Sequence, residues 1–71
     1  MIYSKETDDL IFESTGKREY CHDGYISISP DGSCIGYGTD GGWRREDFTD
    51  QEQLELADQM IAMWTRFKES I

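Results

Sequence analysis

Apolar residues recur in two rhythms along this chain, and the change comes near residue 40. Before it, four short segments of strand-like composition run from Leu10 to Ser14, Lys17 to His22, Tyr25 to Ser29 and Ser33 to Gly38. Turn signals separate them at Thr15-Gly16, Asp23-Gly24, Pro30-Asp31-Gly32 and Asp40-Gly41. The chain contains no Asn, so Asp-Gly pairs must supply the positive-φ residues that tight hairpins require. Short strands at even spacing predict an antiparallel meander rather than parallel βαβ units.

After residue 40 the rhythm becomes helical. Gly41 to Phe48 reads as a linker able to contribute a short fifth strand, and Thr49-Asp50-Gln51-Glu52 then has the form of a capping box. Asp50, Glu52 and Glu55 stand at the positive end of the helix dipole, Arg66 and Lys68 at the negative end. No Gly or Pro interrupts the stretch from Asp50 to Ile71, which predicts a helix of about 20 residues. At 100° per residue, Leu54, Leu56, Ala57, Met60, Ile61, Met63, Trp64, Phe67 and Ile71 fall on one half of it. That arc is the expected core face against the sheet, with its margin (Leu56, Met63, Phe67) available to a dimer or partner interface.

Hairpin loops fix register. A Thr15-Gly16 loop sets Phe12 opposite Glu19, an Asp23-Gly24 loop sets Cys21 opposite Ile26, and a bulged turn at Pro30-Asp31-Gly32 sets Ile28 opposite Cys34 and Tyr25 opposite Tyr37. Alternation then sorts side chains between two faces. Leu10, Phe12, Cys21, Ile26, Ile28 and Cys34 form the floor for the helix, with Trp64 over Gly36. Ile11, Arg18, Tyr20, His22, Tyr25, Ile35 and Tyr37 form the other face. The expected fold is α+β: a four-stranded antiparallel meander followed by one long C-terminal helix packed on one face, as a single domain spanning residues 1–71.

Composition narrows the functions available. The 71 residues carry 15 Asp plus Glu against 7 Lys plus Arg, for a net charge of −8. Clustered Lys and Arg are what phosphate contacts need, so direct nucleic-acid binding and anionic membranes are disfavoured. A basic protein partner fits that charge. No apolar run approaches the ~18 residues of a membrane span, and the first residues have neither a basic n-region nor an apolar h-region. Starting at Met1, the chain reads as a whole translation product expected in the cytoplasm.

Candidate chemistry is sparse. Cys21 and His22 are neighbours, but adjacent strand residues point to opposite faces and cannot serve as nucleophile and base. Zinc held by Cys21, Cys34 and His22 fails for the same reason, with a fourth ligand missing. The glycine-rich Gly36 to Gly42 segment lacks a Walker lysine. No cofactor, metal or catalytic group is therefore expected, and the chain reads as a non-enzyme.

Two features point outward. Tyr20, Tyr25 and Tyr37 form an expected cross-strand patch suited to protein contacts, unless Trp43 and the N-terminal Ile2 and Tyr3 fold over it. Glu46, Asp47, Asp50, Glu52, Glu55 and Asp58 put six acids in 13 residues around the helix start, part capping chemistry and part steering of a basic partner. Expected partner-binding residues are Tyr20, Tyr25, Tyr37, Trp43, Arg44, Glu46, Asp47, Asp50, Glu55 and Asp58. In type, such a chain is similar to phage anti-defence proteins, bacteriocin immunity proteins and antitoxins, which act by occupying a partner's surface. That resemblance implies an inhibitor or regulator of a basic, nucleic-acid-handling protein, with DNA mimicry as its extreme form. The alternative is a self-associating structural or accessory subunit, a homodimer without an inhibitory role.

Overall fold

A computed structural model describes residues 1–37 and 41–71. The Asp40-Gly41 turn in part, and Gly38 at the end of the fourth expected strand, lie outside the described residues. The class is α+β, but the four-stranded meander is corrected: two separate three-stranded antiparallel sheets precede one helix. The first sheet holds β1 (Ile2–Ser4), β2 (Asp9–Ile11) and β3 (Arg18–Tyr20); the second holds β4 (Ile26–Ile28), β5 (Cys34–Tyr37) and β6 (Gly41–Arg44). The helix α1 spans Asp50–Glu69.

The break between the sheets falls where a two-residue hairpin was expected. His22–Gly24 instead forms a 3₁₀ turn, with Asp23 at φ 55° and Gly24 at φ 71°. The Cys21 amide donates to the Asp8 carbonyl, and the Asp23 amide donates to the Asp8 carboxylate, each at 2.8 Å. The chain is thus tied back to the first sheet just where β3 would have turned to pair with β4. A side chain at Gly24 would also meet the Tyr3 ring at 3.3 Å, so glycine serves there both for its left-handed backbone and for space. Tyr3 belongs to β1, which pairs with β2 through Ile2–Ile11, Tyr3–Leu10 and Ser4–Asp9.

Two register changes have opposite consequences. In the first hairpin Leu10, rather than Phe12, opposes Glu19, because the Phe12 amide donates to the Lys17 carbonyl and lengthens the loop. That shift is even, so inside and outside are conserved: Leu10, Phe12 and Cys21 are fully buried as expected. In the second sheet Ile28 opposes Ile35, and Tyr37 opposes Ile26. The cause is Asp31, whose carboxylate accepts from the Ser29 hydroxyl, the Ser33 amide and the Ser33 hydroxyl and stabilises a longer loop. This odd shift turns β5 over relative to β4, so that Ile35 rather than Cys34 shares a face with Ile26 and Ile28, and Ile28 is left exposed on that inner face where the helix does not reach. Ile35 is buried, while Cys34 and Ile28 are exposed.

The core is Leu10, Phe12, Cys21, Ile35, Phe48 and Leu56. An aromatic row crosses it: Phe12 lies 5.3 Å from Phe48, Phe48 meets Trp43 edge-on at 5.5 Å, and Trp43 stacks on Tyr37 at 4.0 Å. Phe48, from the linker, thus joins the two sheets. The helix covers less than expected. Of its apolar arc only Leu56 is buried, and Trp64 is 66% exposed. The space beside Gly36 that Trp64 was expected to fill is taken by the Ser27 hydroxyl.

The two thiols therefore stand in opposite environments, and no disulfide joins them. A thiol reagent applied to the native chain is expected to label Cys34 rapidly and Cys21 only on unfolding. Cys34→Ser is expected to change stability by less than about 0.5 kcal/mol in urea titration, whereas a Cys21 substitution leaves a defect in the core. Slow labelling of Cys34 would overturn the register assigned to β4 and β5, and rapid labelling of Cys21 would overturn its place in the core.

Candidate functional site

The expected tyrosine patch does not assemble. Tyr20 lies exposed on β3 of the first sheet, Tyr25 lies exposed after the 3₁₀ turn, and Tyr37 sits half-buried in the second sheet. Without a β3–β4 pairing no register brings them side by side. Trp43 stacks on Tyr37 and donates its indole N–H to Glu19 at 3.1 Å, so both rings finish the core. Tyr3 joins them there, whereas Ile2 stays 53% exposed.

The acidic run divides in two. Glu52 and Glu55 turn inward and bind the hairpin loop of the first sheet. Glu52 closes the capping box, accepting from the Thr49 amide at 2.8 Å while Thr49 Oγ1 accepts from the Glu52 amide at 3.1 Å. It also accepts from the Thr15 hydroxyl. Burial would raise its pKa, but these hydrogen bonds and the nearby Lys17 ammonium hold it below the ordinary value. Glu55 accepts from the Glu13 amide at 2.7 Å and the Ser14 hydroxyl at 2.5 Å, with the Met1 ammonium 3.3 Å away. Here too burial acts upward, and the donors outweigh it, holding the carboxyl down to about 2.

The other acids face outward. Asp47 accepts from the Arg44 amide at 2.9 Å and ends β6 in a single 3₁₀ turn. Glu46, Asp50 and Asp58 are exposed, and none makes an ion pair among the described residues. Arg44 is exposed beside them. Arg45 is tied to the helix, its Nε donating to Gln53 Oε1 at 2.8 Å and its carbonyl accepting from Gln53 Nε2.

Next to this acidic surface the odd register of β4 and β5 opens a groove of about 440 Å³ between the second sheet and α1. Ile28 and Ile35 line it from the sheet, Leu54, Leu56 and Met60 from the helix, and Arg45, Asp50 and Gln53 supply its polar lining. Leu54 continues from the groove into an exposed stripe with Ile61, Trp64, Phe67 and Ile71. Ile28 and this stripe are surface residues that the sequence assigned to the core face, with Phe67 alone among them at the margin offered to a partner. For the helical stripe the available signal was its spacing, in steps of seven, three, three and four.

A second cluster surrounds His22. Its Nδ1 lies 3.2 Å from Asp8 and its Nε2 3.3 Å from Asp23, and the Tyr20 hydroxyl is 3.5 Å away. Asp8 also accepts from the Tyr3 hydroxyl, which drives the phenol up to about 12 and the carboxyl below its ordinary value. Asp8, His22 and Asp23 offer ligand atoms within 4.8 Å of one another, but the carboxylates engage opposite ring nitrogens and Asp8 is already occupied by Tyr3 and the Asp23 amide. Cys21 is elsewhere, its thiol donating to the Tyr25 carbonyl at 3.1 Å.

No protein-family model, curated protein or solved structure matches the chain. Among the described residues, no helix is long and apolar enough to cross a membrane.

Because the folded pKa of Glu55 lies near 2 against an ordinary 4.5, the unfolded chain binds more protons in that window. The stability this carboxylate contributes is present above pH 4.5 and is lost as pH falls toward 2. Urea midpoints measured across this range should fall steeply for the native chain. Glu55→Gln should lower the midpoint at neutral pH and flatten the acid limb; an unchanged limb would mean that Glu55 is solvated.

Proposed function

We propose that this chain is a non-enzymatic protein-binding module that inhibits or regulates a basic partner by occupying its surface. The observation that carries this reading is the apolar groove bordered by Asp50, beside the exposed carboxylates of Glu46 and Asp58. Apolar lining supplies affinity, and unpaired carboxylates supply steering and register. Arg45 and Asp50 are the ionisable side chains that line the groove, and an otherwise apolar concavity with two exposed charges at its border favours recognition over catalysis. A net charge of −8 is the counterpart of a face that binds phosphate, which favours a nucleic-acid-handling protein as the partner.

Affinity capture with the native chain and two variants tests this. The partner recovered should be basic, and its binding should weaken steeply as salt rises. Replacing Glu46, Asp50 and Asp58 by their amides should slow association about tenfold at low salt. Ile28→Glu should instead speed dissociation by filling the groove with charge. Recovery of only neutral or acidic proteins, or binding indifferent to salt, would sink the proposal.

A further inference from the structure

The outer edge of α1 carries a pattern that starts at the groove, where Leu54 and Ala57 line it, and runs on beyond it. Leu54, Ala57, Ile61, Trp64 and Lys68, with Ile71 two residues past the end of α1, repeat at alternating steps of three and four, the spacing of a coiled-coil seam. All six are exposed: Leu54 by 57%, Ile61 by 64%, Trp64 by 66% and Ile71 by 91%. We infer that a second copy of this chain seats on this seam, with the two α1 helices antiparallel about a two-fold axis between Ile61 and Trp64.

Area supports an occupant of that size. The chain exposes 5116 Å², whereas a folded monomer of 8.2 kDa is expected to expose about 4,500 Å². The excess of about 600 Å² approaches the ~800 Å² that each partner contributes to a standard interface.

Charge selects the orientation. Asp50 and Asp58 lie exposed in the first half of α1, and Arg66 and Lys68 near its end, where Glu69 offsets one of them. Antiparallel helices bring each acidic half beside a basic end and oppose the two macrodipoles. Matching seam positions about the axis places Ile61 against Trp64 of the second copy and Leu54 against its Ile71. Ala57 then faces Lys68, a small residue leaving room for the lysine stem while the neighbouring Asp58 takes the ammonium. A parallel pair would set Lys68 against Lys68 and stack the two acidic halves.

Sedimentation of the full chain from low micromolar to about 500 µM tests the assignment. The expected result is a concentration-dependent rise toward twice 8.2 kDa. Trp64→Asp and Ile61→Asp should each raise the dissociation constant at least tenfold. Both sites are exposed, so far-UV circular dichroism and slow Cys21 labelling should show the fold unchanged. Lys68→Glu should weaken the dimer, and Asp58→Lys added to it should restore it, as only the antiparallel register allows. A native chain that stays monomeric throughout, or a dimer indifferent to Trp64→Asp and Ile61→Asp, overturns the inference. Failure of the charge-swap rescue overturns the orientation. Binding of a basic partner by a strictly monomeric chain would leave the proposed function standing while removing the dimer.

Discussion

Two carboxylates one helical turn apart decide where α1 begins and what it touches. Glu52 and Glu55 both turn back onto the hairpin loop that follows β2, the first taking the Thr15 hydroxyl and the second the Glu13 and Ser14 amides. Each accepts backbone N–H groups that would otherwise point at solvent or stay unpaired, at the helix end where negative charge is favoured. This clamp brings Leu56 to the core beside Phe12 and lets Phe48 bridge the sheets. Among the described residues, no buried side-chain nitrogen or oxygen lacks a partner, so the polar cost of placing these carboxylates is met in full.

The same clamp divides the protein's charge between two uses. Glu52 and Glu55 act on the fold, whereas Glu46, Asp50 and Asp58 remain available to an outside molecule. Because the helix is anchored only at its start, its apolar arc is also divided. Leu56 enters the core, Leu54 and Met60 line the groove, and Ile61, Trp64 and Ile71 are left exposed. A chain of this length has too little sheet to cover a 20-residue helix, and the uncovered remainder is where recognition concentrates.

The helix and its capping box were legible because their determinants are local: a Thr and a Glu three residues apart, then an uninterrupted run of helix formers. Burial of Leu10, Phe12 and Cys21 was legible because an even register error leaves alternation intact. The second sheet was not, since Asp31 recruits Ser29 and Ser33 and adds one residue to the loop, which exchanges Cys34 for Ile35 at the core. The split between the sheets was hidden for a related reason. Asp8, fourteen residues before His22, captures the Asp23 amide by its carboxylate and the Cys21 amide by its carbonyl, and no short-range turn rule sees that contact. The tyrosine patch depended on the missing pairing and failed with it. The exposed stripe of α1, apart from Phe67 at its margin, was not legible because an apolar half-cylinder has the pattern of a core face whatever the area of sheet beneath it.

Residues 64–71 are all exposed, and a free peptide so short would scarcely be helical in water. Here the cost of nucleation has already been met by the capped and clamped first turns, so the outer residues need only propagate. The chain thereby holds Trp64 and Phe67 on a rigid, pre-organised rod. A molecule that docks there meets side chains already in place, and the entropy it must surrender is largely its own.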